Sequence, residues 1–139
     1  MNRLTTDNID SFIERFEGFD GAVIKCIEYS SGSESDNCEL AITLQATDNF
    51  ASGSTPFSGG VTIKILIVGN VEFRIWEPGG GVNVVLNDEV VSYCYDDKIY
   101  INFDPLHSKN WETKGWSIDE IRNSSFYVGG RKVFWKKAN

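Results

Sequence analysis

A chain of 139 residues and 15.6 kDa, 41% hydrophobic and 24% charged with a net charge of −7, has the make-up of one soluble globular domain, residues 1–139. The charge sign argues against a nucleic-acid binder, which needs a basic footprint. The longest apolar run, residues 65–68, is far too short to cross a membrane, so no membrane association is expected. Residues 1–17 carry acids where a secretory leader would have its apolar centre, and a cytoplasmic location is the expectation. Cys26, Cys38 and Cys94 are odd in number and scattered, which suits reduced thiols or small buried hydrophobes rather than a disulfide framework.

Residues 6–16 read as a helix. Ile9, Phe12, Ile13 and Phe16 fall at i, i+3, i+4 and i+7, with Thr6 or Asp7 as the cap and Gly18 as the stop. Residues 22–29 and 39–46 follow as two strands joined by the polar loop 30–37, a hairpin. Residues 47–60 form a long connection in which Phe50 and Phe57 are expected to pack back on the sheet.

Residues 61–103 have the period of a β-meander. Val61, Ile63, Ile65 and Ile67 alternate with their neighbours, as do Val71, Phe73 and Ile75, and then Ile99, Ile101 and Phe103. Gly69-Asn70, Asn87-Asp88 and Asp96-Asp97 supply the residues that tight hairpin turns require. Residues 104–125 are irregular, with Ser117 and Glu120 at capping-box spacing for a short helix through about Arg122. A last hairpin is expected over 125–135, turning at Gly129-Gly130. The fold class is therefore α+β: a mostly antiparallel sheet, strongly curved or folded into a sandwich of hairpin-linked strands, with one N-terminal helix packed on it.

Conventional chemistry finds little footing. One histidine, His107, and no close Cys or His pair leave zinc without a ligand set, and Asp96-Asp97 lies where a turn is needed rather than in a calcium loop. His107 has no nucleophile motif around it, and the glycines at 79–81 lead into a strand pattern rather than the helix a phosphate loop requires. No catalytic residue, metal or cofactor is assigned.

The charge distribution is more informative. The first 60 residues hold ten acids against three bases, whereas the remainder holds ten of each. An acidic N-terminal half suits a basic protein partner. Glu34, Asp36 and Glu39, in and beside the first hairpin loop, are the expected contacts, with Trp111 as an aromatic anchor. Changing the three acids to Lys is expected to slow association most at low salt.

The segment 16–29, with its Phe16, Gly18, Phe19, Asp20 junction leading into Ala22, Ile24, Ile27 and Tyr29, resembles the openings of bacterial immunity proteins of polymorphic toxin systems. Where those proteins often carry a His-Asp pair, this chain has Asp20-Gly21. The resemblance implies a β-rich body and a non-enzymatic role, binding a cognate toxin and occluding its active site. The alternative reading is a small-ligand binder or enzyme with a pocket in a curved sheet, its mouth formed by loops 47–60 and 104–117. A homo-oligomer built on an exposed sheet edge is a third.

Overall fold

The computed structural model describes residues 1–33, 37–50, 60–75, 84–86, 89–105 and 117–138. Among these residues, ten strands and two helices follow in chain order. They are β1 (Asn2–Leu4), α1 (Ile9–Arg15), β2 (Val23–Ser30), β3 (Glu39–Ala46), β4 (Val61–Val68), β5 (Glu72–Ile75), β6 (Val84–Val85), β7 (Val91–Tyr95), β8 (Lys98–Asn102), α2 (Ile118–Arg122), β9 (Phe126–Gly130) and β10 (Lys132–Ala138). A single turn, Glu17–Phe19, follows α1. All pairings are antiparallel, in a six-stranded sheet of order β1-β10-β4-β3-β2-β6 and a four-stranded sheet of order β5-β9-β8-β7.

The first hairpin forms as the polar loop predicts, β2 against β3 from Val23↔Gln45 to Ser30↔Glu39, with a bulge between Ile24 and Cys26. The β7–β8 hairpin forms too, and Asp96 and Asp97 both take positive φ (51° and 59°), as a tight hairpin turn requires. Among the described residues, the rest of the expected meander does not form. β4 pairs with β3 and β10, whereas β5 pairs with β9 in the other sheet, and β6 joins β2 rather than β7. Gly69 and Asn70 do adopt positive φ (82° and 46°), but the turn carries the chain from one sheet to the other. Alternation specifies which face of a strand is buried; it does not specify the neighbouring strand.

The expected last hairpin is overturned for a packing reason. Gly129 and Gly130 lie inside β9, and the chain changes sheet after them, at Arg131. Gly129 is the register partner of Tyr100, and a Cβ there would come within 2.6 Å of the Tyr100 Cε1. A Cβ on Gly130 would stand 2.5 Å from Ile67 Cγ2 of the first sheet. These glycines admit close approach of a ring and of a second layer, rather than turning the chain.

The core faces of the two sheets and the helix form one cluster. Leu40, Ile42, Leu44, Ile63, Ile65, Ile67 and Val133 come from the six-stranded sheet, and Ile99, Ile101, Phe126 and Val128 from the other. Each such side chain contributes about 1.5–3 kcal/mol when fully buried. Helix α1 starts where the apolar stripe does, at Ile9, later than a cap at Thr6 or Asp7 would put it, because Asn8 and Thr5 close a turn first: the Thr5 backbone N–H donates to Asn8 Oδ1 over 2.7 Å. The helix drives Phe12 and Phe16 against Trp135 of β10, with ring centroids 5.0 and 5.5 Å away. Its other flank reaches β7, where Ser92 Oγ donates to Asp10 Oδ1 over 3.0 Å. The short strand β1, which pairs with β10, has no counterpart in the sequence reading. Cys26 and Cys94 are exposed and Cys38 half-exposed, so the buried-hydrophobe role does not apply.

Candidate functional site

Helix α1 carries an acidic face. Asp10, Glu14 and Glu17 recur at i, i+4 and i+7, which brings them to one side of the helix and its following turn. All three are exposed, as are Asp7 and Asp20 nearby. A cleft of about 340 Å³ opens along this face, lined by Asp10, Ile13, Glu14 and Glu17 on one side and by Glu89, Val90, Val91 and Ser92 on the other. Four carboxylates and no Lys or Arg line it. Asp10 accepts from Ser92, and among the described residues no ion pair reaches Glu14, Glu17 or Glu89.

The backbone holds the cleft in shape. Glu17, Gly18 and Phe19 have φ of 55°, 67° and 56°, three consecutive left-handed residues of which only the glycine is at ease. Backbone bonds sustain that turn: Val90 N–H donates to the Gly18 carbonyl at 2.8 Å, and Gly21 N–H to the Leu86 carbonyl at 2.7 Å. The Glu89 side chain lies over Gly18, where a Cβ would come within 2.7 Å of its Cγ. One acid from the second half of the chain thus joins three from the first.

Two further charged clusters are built into the fold. At the C-terminal end of α1, Asp48, 1% exposed, accepts two bonds from the Arg15 guanidinium, both at 3.0 Å. It also pairs with Lys137 of β10 and accepts the Phe50 backbone N–H at 3.0 Å. Arg15, then Lys137 and the Phe50 amide, outweigh burial and hold the Asp48 carboxyl well below the usual carboxylate range. The Arg15 Cζ lies 5.4 Å from the Trp135 ring centroid and 4.5 Å from that of Phe50.

On the outer face of the smaller sheet, Glu72 accepts from Arg122 Nε (2.6 Å), Tyr127 Oη (3.0 Å), Tyr100 Oη (3.0 Å) and Lys98 Nζ (3.5 Å). Burial alone would raise its pKa; the bonds from Arg122, Tyr100 and Tyr127 outweigh that and hold it at about 2. Burial and the Glu72 carboxylate push Tyr100 and Tyr127 up to about 12. An ionised acid with both oxygens occupied, beside two phenols that keep their protons, clamps α2 to the sheet and has no capacity left for proton transfer. Among the described residues no group of three or more His, Cys, Asp and Glu side chains is placed to hold a metal ion.

The chain matches no protein-family model, no curated protein and no solved structure.

Of the contacts expected from sequence, Glu39 lies exposed at the start of β3, opposite Ser30 and Val68. Glu34, Asp36 and Trp111 lie outside the described residues, as do His107, Trp116 and Phe57. Among the described residues, Asp10, Glu14 and Glu17 of the acidic excess line the α1 cleft, and Glu39 stands in the first hairpin. The cleft's helical half was legible as acids at i, i+4 and i+7; Glu89 had no signal, since only the strand pairing brings it there. Phe50 does not pack back on the sheet: it is 78% exposed, its ring resting on Arg15. No helix among the described residues is long and apolar enough to span a membrane.

Proposed function

We propose that this chain is a non-enzymatic protein-binding module that takes up cationic side chains of a basic partner, and that in its specific form it is an immunity protein occluding a cognate toxin in the cytoplasm. The observation that carries the reading is the α1 cleft: four carboxylates, no lining cation, and ion pairs absent from Glu14, Glu17 and Glu89 among the described residues. Like charges held together cost the free protein energy, and a partner's Lys or Arg would relieve it. The charge clusters that do have partners, at Asp48 and Glu72, are internal fastenings, whereas the cleft gathers carboxylates that no lining cation answers. The opening at residues 16–29 supports the immunity form, and its Glu17-Gly18-Phe19 turn is what shapes the cleft wall. The mechanism is steric: carboxylates stand in for the charge of the toxin's own substrate while the body blocks access to its active site.

Co-expression with the product of the adjacent gene tests this. The expected result is rescue of growth from that product and a stoichiometric complex. Two triple variants locate the surface. Glu14→Lys with Glu17→Lys and Glu89→Lys is expected to lower the association rate at least tenfold at low salt; Glu34→Lys with Asp36→Lys and Glu39→Lys tests the hairpin contacts in the same assay. A non-toxic neighbour sinks the immunity form, and unchanged association in both variants sinks the acidic surface.

A further inference from the structure

Phe50 is the most exposed large apolar side chain among the described residues, at 78%. Packing does not explain it. Burial of such a ring stabilises in proportion to the apolar area removed from water, and a ring left mostly in water collects a small part of that. Its stacking on Arg15 at 4.5 Å adds only the modest attraction of a surface cation–π contact.

Yet the backbone that carries the ring is held at several points. Asp48, Asn49 and Phe50 are each bonded down. Asp48 is buried in its ion trio, and its Oδ1 accepts the Phe50 N–H two residues on, an Asx turn. Asn49 caps the end of α1, its backbone N–H donating to the Arg15 carbonyl at 2.9 Å and its Nδ2 to the Glu14 carbonyl at 3.2 Å. The guanidinium under the ring is itself fixed by Asp48. A mostly solvated aromatic on a bonded backbone has already given up part of the freedom that binding would otherwise remove. The same turn of α1 that carries this platform, Glu14-Arg15, also supplies Glu14 to the acidic cleft.

We infer that Phe50 is the aromatic anchor of the partner interface, entering an apolar pocket rimmed by Lys or Arg on a basic protein while the neighbouring carboxylates meet the rim. The inference rests on the acidic-surface reading above and adds to it the chemistry of the partner: charge alone is insufficient, and an apolar socket must lie beside it. Charge complementarity selects the occupant, since Glu14 and Glu17 at the same helix end disfavour an acidic or membrane-lipid surface. Sequence reasoning gave the anchor role to Trp111 and buried Phe50.

Two fluorescein-labelled peptides of equal charge serve as probes, hexa-arginine and a twelve-residue peptide alternating Arg and Leu. Affinities are measured by anisotropy at 20 and 200 mM salt with the full chain and with Phe50→Ala, whose exposed position spares the fold. The expected result is salt-dependent binding of both by the unaltered chain, and at least a fivefold loss for the Arg-Leu peptide in Phe50→Ala with hexa-arginine unchanged within twofold. Equal effects on both peptides, or none on either, overturn the anchor and leave the acidic surface standing. Absence of salt-dependent hexa-arginine binding instead overturns the acidic surface. Sedimentation in parallel closes the other route: a dimer of the chain that Phe50→Ala dissociates makes the occupant a second copy and overturns the inference.

Discussion

Arg131 donates its backbone N–H to the Gly69 carbonyl over 2.9 Å, which ties together two of the places where the chain passes between sheets. Gly69 sits at φ 82°, and a Cβ there would touch the Arg131 Cβ at 3.4 Å. Gly69→Ala is expected to cost about 1–2 kcal/mol through the left-handed backbone alone, read as a lower urea midpoint at an unchanged slope.

Gly129→Ala is expected to destabilise for a different reason. Its backbone is not in the left-handed region, but its Cβ would enter the Tyr100 ring, and overpacking of this kind costs about 1–3 kcal/mol. Tyr100→Ala in the same chain removes the obstacle, so the double variant should fall short of the sum of the two single losses. Strict additivity would show that the ring is not what excludes the side chain.

Acid sensitivity follows from Glu72 and Asp48. Both carboxyls have folded pKa values below their unfolded ones, Glu72 moving from 4.5 to about 2. Stability from such groups is full above the unfolded value and is lost as pH falls through the folded one, so the loss runs from about pH 5 down to about pH 2. For Glu72 the span corresponds to roughly 3 kcal/mol. Glu72→Gln should flatten that limb in pH-dependent urea unfolding; an unaltered limb would refute the assignment.

At the alkaline end the sign reverses. Tyr100 and Tyr127 are raised from 10 to about 12, so their contribution is intact below pH 10 and disappears as pH rises through 12. Ultraviolet titration should find Tyr100 and Tyr127 among the late-ionising tyrosines, and Glu72→Gln should return these two toward the ordinary value.

Glu17→Gly separates stability from binding. Replacing a non-glycine residue at φ 55° relieves about 1–2 kcal/mol of backbone strain, of which the added freedom of glycine in the unfolded chain takes back about 0.4–1 kcal/mol. The same change removes a carboxylate from the cleft. Thermal unfolding should therefore rise while association with a basic partner slows, an opposition expected where strain serves a working surface.

Much of the fold was written in local pattern. The alternation in residues 39–46 and 61–68 placed Leu40, Ile42, Leu44, Ile63, Ile65 and Ile67 on a buried face, and all six are fully buried. Ser117 capped α2 as its spacing to Glu120 required, its Oγ accepting the Glu120 N–H at 3.2 Å. Asp96-Asp97 made the one tight hairpin of the smaller sheet. These are properties of residues within a few positions of one another, and side-chain period and turn chemistry encode them directly.

What tertiary structure decided is which strands are neighbours. Nothing local told β5 to leave β4 for β9, or Gly129 to lie beneath Tyr100 instead of turning the chain. That choice is made by packing two sheets and a helix into one core, a balance over residues far apart in sequence. It also set the candidate site. The sequence by itself placed the acidic excess in the first 60 residues; folding brought Glu89 to Glu14 and Glu17, spent Arg15 and Lys137 on buried Asp48, and left Phe50 outside. Composition determines how much charge a chain carries, but only the paired and buried contacts decide which charges stay unanswered at the surface.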